Sequence, residues 1–83
     1  MLLEIYTPDQ KVFEGLVDSA TFPGAKGSFQ VLNNHAPLIS TLEKGKVVYK
    51  SNNSKQEVNI GGGVVEVLNN KVVLLAESIL TDE

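Results

Sequence analysis

The chain has 83 residues, a formal net charge of −3 and a single His, and all of its permanently cationic side chains are Lys. This length fits one domain, and the lack of Cys excludes a disulfide framework and a zinc site of the Cys type. Because the charges are scattered and Arg is absent from the sequence, we do not expect nucleic acid or an anionic membrane surface as a direct ligand.

The apolar residues form short runs, and no stretch keeps a helical period for three turns. The runs are rich in Val, Ile and Thr and are separated by clusters of Gly, Pro, Asn and Ser, which is typical of an all-β domain. No run approaches the about 20 apolar residues of a membrane span, and Glu4 interrupts the first run where a signal peptide would need a longer one. We therefore expect a soluble, unprocessed chain that folds as two packed antiparallel sheets.

Turn residues and period-two alternation predict the strands in chain order. The second strand breaks at Gly15, where a bulge would fit, and Phe22 in the third should face the core. Residues 51–54 should form a polar loop, and residues 81–83 should end the chain in solvent. The predicted strands span residues 2–6, 11–16, 17–22, 28–32, 38–42, 47–50, 56–60, 64–67, 72–76 and 79–80.

The clearest hairpin surrounds Asn69 and Asn70, two residues that tolerate positive φ. A two-residue turn at this point would pair residue 67 with 72 and 65 with 74 on one face, and residue 66 with 73 on the other. The run from Val72 to Ala76 is apolar on both faces, which predicts a central strand rather than an edge strand.

Few residues suggest chemistry. His35 is the sole conventional base near neutral pH, but no nucleophile or orienting acid can be assigned to it, so a loop His that binds backbone groups or lies at a partner interface is favoured. The run Gly61–Gly63 leads into a strand instead of the helix that a phosphate loop needs, which favours a bulge or a close sheet approach. The carboxylates are dispersed, and we expect no metal, no cofactor and no enzyme activity.

The segment from Pro23 to Ser40 is the first place to look for function, since two turn clusters bracket a short strand there. Phe29, Val31 and Leu32 lie in that strand. If one or more of them is exposed beside His35, the segment carries an apolar patch of the kind that marks a protein contact; otherwise it is a core strand.

Several motifs, in order and spacing, resemble the N-terminal domain of the epsilon subunit of rotary, F-type ATP synthase, over nearly the whole chain. They are Val12-Phe13-Glu14-Gly15, Phe22-Pro23-Gly24, His35-Ala36-Pro37-Leu38-Ile39-Ser40 and Gly61-Gly62-Gly63-Val64-Val65-Glu66-Val67. The combination of His-Ala-Pro-Leu with an upstream Phe-Glu-Gly and a downstream Gly-Gly-X-X-Glu-Val is specific.

The resemblance implies a single domain over residues 1–83, a flattened antiparallel β-sandwich of about ten short strands. It also implies a non-catalytic rotor subunit of the central stalk, which links the gamma subunit to the c ring and couples ion translocation to ATP synthesis. Such a subunit lies at the cytoplasmic face of the bacterial inner membrane and reaches the membrane only through the complex. In the family, the segment that corresponds to residues 25–32 lies at the c ring, and the region around His35 faces gamma. The resemblance therefore places these residues at the partner interface: Ala25, Lys26, Gly27, Ser28, Phe29, Gln30, Val31, Leu32, Asn33, Asn34 and His35.

Three departures from the family pattern matter. Ser28 and Gln30 stand where many relatives carry an acid and a Gly, and Asn33-Asn34 stands where a Pro-Gly turn is common. The family usually continues into a C-terminal helical hairpin that carries inhibition of hydrolysis and, in some members, ATP binding. We therefore expect a short form without that helical domain and without an ATP site.

Two other classes of protein remain as alternatives. A free-standing β-sandwich module could recognise a peptide or a carbohydrate, although the chain has no Trp and only five Phe and Tyr residues for sugar stacking. An enzyme would have to depend on His35, so loss of an activity in a His35→Ala variant would identify it.

Overall fold

A computed structural model of the protein describes residues 1–80, and residues 81–83, which we expect in solvent, lie outside the described part. Residues 1–80 form ten strands. In chain order these are β1 Leu2–Tyr6, β2 Lys11–Leu16, β3 Ser19–Gly24, β4 Gly27–Leu32, β5 Leu38–Leu42, β6 Gly45–Ser51, β7 Ser54–Ile60, β8 Gly63–Leu68, β9 Lys71–Ala76 and β10 Ile79–Leu80. The predicted all-β class and the number of strands are confirmed.

The strands form one continuous sheet that curls into two layers. Its order is β10-β7-β6-β3-β5-β8-β9-β1-β2, with β4 paired to β3 outside this path. The two halves join where β3 meets β5, through the single pair Gly24 with Leu42. We call β3, β4, β6, β7 and β10 the first layer and β1, β2, β5, β8 and β9 the second layer.

The core lies between the layers and is built by alternate residues of the strands. Both Ala20 and Phe22 of β3 are fully buried, as are Leu3 and Ile5 of β1 and Leu74 of β9. No polar or charged residue within 1–80 is buried. Full burial of one large apolar side chain contributes about 1.5–3 kcal/mol, so this apolar cluster is the main source of stability. The prediction that Phe22 faces the core is confirmed.

The β8–β9 hairpin has the predicted register. Val67 pairs with Val72, Val65 with Leu74, and residue 66 with residue 73. Asn69 and Asn70 have φ angles of 52° and 60°, the combination of a type I′ turn. Strand β9 lies between β8 and β1, so it is central as predicted.

One pairing departs from a purely antiparallel arrangement, since β1 runs parallel to β9. Antiparallel neighbours are usually joined by short turns, whereas β1 and β9 are separated by most of the chain and no hairpin sets their direction. The remaining pairings between neighbouring strands are antiparallel.

The bulge suggested at Gly15 is wrong. Gly15 keeps regular register opposite Leu3, and the irregularity lies between Ile5 and Tyr6. A Cβ at Gly15 would lie 2.9 Å from the ring carbon Cζ of Phe13, so the glycine provides room for that ring.

At Gly63 the predicted close approach is confirmed. A Cβ there would lie 2.3 Å from the backbone oxygen of Leu75 in the paired strand β9, and the φ of Gly63 is +156°.

Strand ends differ from the prediction by a few residues. Strand β3 starts at Ser19 instead of residue 17 and continues to Gly24, although the preceding Val17 is also buried. Strands β6 and β7 extend to Ser51 and Ser54, which pair with each other, so the predicted four-residue loop is a two-residue turn. Cross-strand pairing therefore continues through polar residues that the sequence pattern assigned to a loop.

Candidate functional site

The structure separates the eleven candidate interface residues between two ends of the sandwich. The turn at Ala25 and Lys26 lies beside the β5–β6 turn, because Ala25 N donates to Thr41 O (3.1 Å) and Glu43 N donates to Pro23 O (2.8 Å). Strand β4 then crosses the domain, and its six residues span about 20 Å. Residues 33–35 follow at the opposite end. The sequence-predicted segment is therefore two sites joined by one strand.

A groove lies at the first end, between the β3–β4 turn and β5. Its volume is ≈ 480 Å³. Phe29 is half-buried against it and packs on Phe22, with ring centroids 5.7 Å apart. The residues lining the groove are 24–29 and 39–41, of which Lys26 carries the charge.

Strand β4 settles the question left open for its apolar residues. Val31 is fully buried and belongs to the core, whereas Leu32 is 52% exposed. The strand therefore serves both as a core strand and as an exposed surface, since successive side chains point to opposite sides.

A tight turn at the second end carries His35. The amide of His35 donates to Leu32 O (3.1 Å), and Asn34 has a φ of 63°, which has the sign required at the third position of a type II turn. Asn34 N donates to the side-chain oxygen Oδ1 of Asn70 (2.8 Å), and the Met1 ammonium donates to Asn33 Oδ1 (2.6 Å). Side chains and backbone groups from three parts of the chain meet at this loop.

The ring of His35 is partly exposed and is held by its neighbour. Its Nδ1 lies 2.7 Å from the carbonyl oxygen of Ala36. A carbonyl only accepts, so Nδ1 carries the proton and Nε2 is the acceptor of the neutral ring. The interpretation of His35 as a loop residue that binds the backbone is confirmed, and its Nε2 makes no hydrogen bond within residues 1–80.

The outer face of the second layer is a surface that sequence reasoning missed. We use this name for the side of β1, β2, β5, β8 and β9 that faces away from the core. Exposed apolar side chains occur along it: Ile39 (71% exposed), Val64 (40%), Leu68 (48%), Leu75 (55%) and Leu16 (73%). Val64 and Leu75 are directly paired across β8 and β9, so part of this patch is continuous.

One cross-strand row of this outer face alternates apolar and acidic residues. Glu66 is opposite both Ile39 and Val73, and Glu4 is opposite Val73 on its other side. The signal for this face was present in β9, which is apolar on both sides. That pattern predicts a central strand, but it also indicates an apolar outer side that residues 1–80 leave uncovered.

The carboxylate of Glu4 is the best-defined electrostatic group on this face. Tyr6 OH donates to Glu4 Oε1 (2.6 Å), and Lys71 Nζ lies 3.5 Å from Oε2. These contacts, the Tyr6 hydrogen bond first, hold the pKa of Glu4 below its ordinary value of 4.5. The same bond raises the pKa of Tyr6 above 10.0, because ionised Tyr6 could not donate it. A separate ion pair joins Lys11 and Glu14.

Other kinds of site find little support in the described residues. No three His, Asp or Glu side chains within 1–80 are grouped as metal ligands would be. Nor does that part of the chain contain a helix with the length and apolarity needed to cross a bilayer. The exposed apolar side chains of the outer face are suited to contact with another protein surface.

Comparison with known proteins gives consistent results. Residues 1–82 match the model of the ATP synthase delta/epsilon chain β-sandwich domain. The chain is 44% identical over 77 residues to an ATP synthase epsilon chain of Maridesulfovibrio salexigens, covering 93% of this chain and 54% of the relative. It is also 44% identical over 78 residues to one of Chlorobaculum tepidum, covering 93% and 89%. The chain spans about half the length of several relatives and most of the length of the latter.

Solved structures share the fold. A chain in the central stalk/c-ring structure of the Tetrahymena thermophila mitochondrial ATP synthase is similar with a TM-score of 0.83 at 15% identity, covering 95% of this chain and 64% of that one. A chain in the OSCP/F1/c-ring structure of the Euglena gracilis mitochondrial ATP synthase gives a TM-score of 0.88 at 20% identity, covering 94% and 51%.

Proposed function

Because the chain belongs to the ATP synthase delta/epsilon chain β-sandwich family, we propose that it is a non-catalytic rotor subunit of an F-type ATP synthase. It links the gamma subunit to the membrane c ring and thereby couples ion translocation to ATP synthesis. Its place is the cytoplasmic face of the bacterial inner membrane, peripheral within the complex.

The observation that carries this proposal is the apolar outer face of the second layer. Leu75 and Val64 form a cross-strand pair with Ile39 nearby in β5, and all three side chains are exposed within residues 1–80. A contiguous apolar patch on a small domain marks a contact with another protein. The family resemblance implies the gamma subunit on one side of the sandwich and the c ring at residues 25–32, so we assign this face to the gamma subunit.

The separation of the two candidate ends supports two partners rather than one. The turn at Lys26 lies about 20 Å from the turn at His35, since strand β4 lies between them. We assign the exposed residues of the segment 25–32 to the c ring, which leaves out the buried Val31, and the surroundings of His35 to gamma. The subunit thus contacts shaft and ring with different parts of one rigid body.

Transmission of torque requires a body that does not deform. The ten strands form one hydrogen-bonded sheet around an apolar core, and a close-packed interior transmits strain with little compression. No cofactor, metal or ATP is needed for this role.

A calorimetric titration of the chain into the purified gamma subunit of the same organism tests the proposal. We expect one-to-one binding, and we expect the chain to restore ATP-driven ion pumping to a synthase depleted of its epsilon subunit. A folded gamma subunit that does not bind the chain would overturn the proposal and favour the free-standing recognition module.

A further inference from the structure

The loop that carries His35 is tied to a distant turn by one side chain. Asn70 lies in the β8–β9 turn, 36 residues from Asn34 along the chain, and its Oδ1 accepts the Asn34 amide hydrogen at 2.8 Å. The backbone oxygen of Asn70 also accepts from Leu2 N (3.1 Å). We propose that Asn70 is a positioning residue, which orients the His35 loop for binding to the gamma subunit. This inference rests on the proposed function.

The loop needs such a tie because its own bonds are few, and the other long-range bond to it, from the Met1 ammonium to Asn33 Oδ1 (2.6 Å), does not involve Asn34. Residues 33–37 lie outside the strands, and the turn is closed by the single backbone bond from His35 N to Leu32 O. Asn34 is held in the left-handed region, at φ 63°, where a non-glycine residue carries a conformational cost. The bond to Asn70 favours this state over others. A backbone amide only donates, so the accepting atom of Asn70 must be its side-chain oxygen.

The identity of residue 70 also points to a positioning role. Its φ of 60° suits Gly best, and Asn-Gly is the preferred dipeptide of a type I′ turn. The hairpin alone would therefore be served better by Gly at this position. Asn offers what Gly cannot, namely an oxygen that reaches the neighbouring loop. Asn69 lies in the same turn with φ 52°, and its side chain makes no hydrogen bond within residues 1–80.

This difference allows a test, because replacing Asn70 by Gly should keep or improve hairpin stability while it releases the His35 loop. In Asn70→Gly we expect the thermal unfolding midpoint to stay the same or rise, while the Asn34 amide loses protection from hydrogen exchange. We also expect affinity for gamma to fall about two- to tenfold, the factor that one hydrogen bond typically provides. Asn70→Asp keeps the acceptor and tolerates positive φ, so it should restore both protection and binding.

The control is Asn69→Gly, which changes the same turn without removing the acceptor and should leave affinity unchanged. If the wild-type chain does not bind gamma, the proposed function fails. If the wild type binds but Asn70→Gly binds equally well, only the positioning role fails. Loss of binding in Asn70→Gly together with a lowered unfolding midpoint and no rescue by Asp would reduce Asn70 to a structural residue and would also overturn the inference.

Discussion

The ring of His35 binds the backbone of the residue beside it, so few contacts depend on this side chain. His35 Nδ1–H donates to Ala36 O. The turn itself is closed by the His35 backbone amide, which any residue except Pro can supply. Fold and function can therefore be separated at this position.

Replacement His35→Ala should change the free energy of unfolding by less than about 1 kcal/mol, as is usual for a surface substitution. We expect weaker binding to gamma, because the variant lacks the Nε2 acceptor that the proposed interface would use. Calorimetry and thermal unfolding measure the two effects, with Asn53→Ala in the neighbouring β6–β7 turn as the control. A variant that melts while its folded fraction binds gamma normally would show that His35 is purely structural.

Glu4 offers a test of the electrostatics on the outer face. The Tyr6→Phe substitution removes the hydrogen bond that stabilises the ionised form of Glu4, so it should raise the pKa of Glu4 toward 4.5. In the wild type the lowered pKa contributes stability that is present above pH 4.5 and is lost as the pH falls through the lowered value. Carboxyl titration by NMR checks the shift, and Tyr49→Phe is the matched control. An unchanged Glu4 pKa in Tyr6→Phe would contradict this account.

Strand β9 has one side in the core and the other on the proposed gamma-binding face. Leu74 is fully buried, whereas the next residue, Leu75, is 55% exposed on the outer face. Alternation along a strand places these two side chains on opposite sides of the sheet.

The pair Leu74→Asp and Leu75→Asp should divide stability from binding. Leu74→Asp buries an unpaired charge at a cost of roughly 3 kcal/mol or more, enough to unfold a domain with a total stability on the order of 5 kcal/mol. Leu75→Asp should fold normally and lose roughly tenfold or more in affinity for gamma. Denaturant unfolding and calorimetry measure both. If Leu75→Asp bound gamma with unaltered affinity, the outer face would not be part of the gamma-binding interface.

At the scale of the whole molecule, β4 sets the distance between the two proposed contact sites. The turn at Lys26 and the turn at His35 share no described hydrogen bond and lie at opposite ends of this strand. Such remote sites should act independently on assembly.

Independence can be measured with Lys26→Glu, His35→Ala and the double variant, reconstituted into a synthase depleted of its epsilon subunit. The free-energy effects on assembly should add to within about 0.5 kcal/mol, as for sites more than 7–10 Å apart. The Lys26 change should weaken ring attachment without altering affinity for isolated gamma. Strong non-additivity would indicate a single shared interface.

Local pattern was enough to predict much of this molecule. Alternation and turn residues predicted the class, ten strands and the register around Asn69 and Asn70, because side-chain period and positive φ are properties of neighbouring residues. The family motifs are also short runs of neighbouring residues, so the sequence alone was enough to indicate the family. Strand ends such as Ser19 were misplaced by two residues, since the end of a strand depends on what its neighbour pairs with.

The tertiary structure alone decided how these elements meet. Contacts across the chain brought β1 parallel to β9, held Asn34 on Asn70, and placed Lys26 and His35 at opposite ends. Period-two alternation establishes that a strand has two faces, but it does not determine which apolar face the rest of the chain covers. Leu75 remained exposed because the curled sheet has one interior, and within residues 1–80 no further layer covers its outer side.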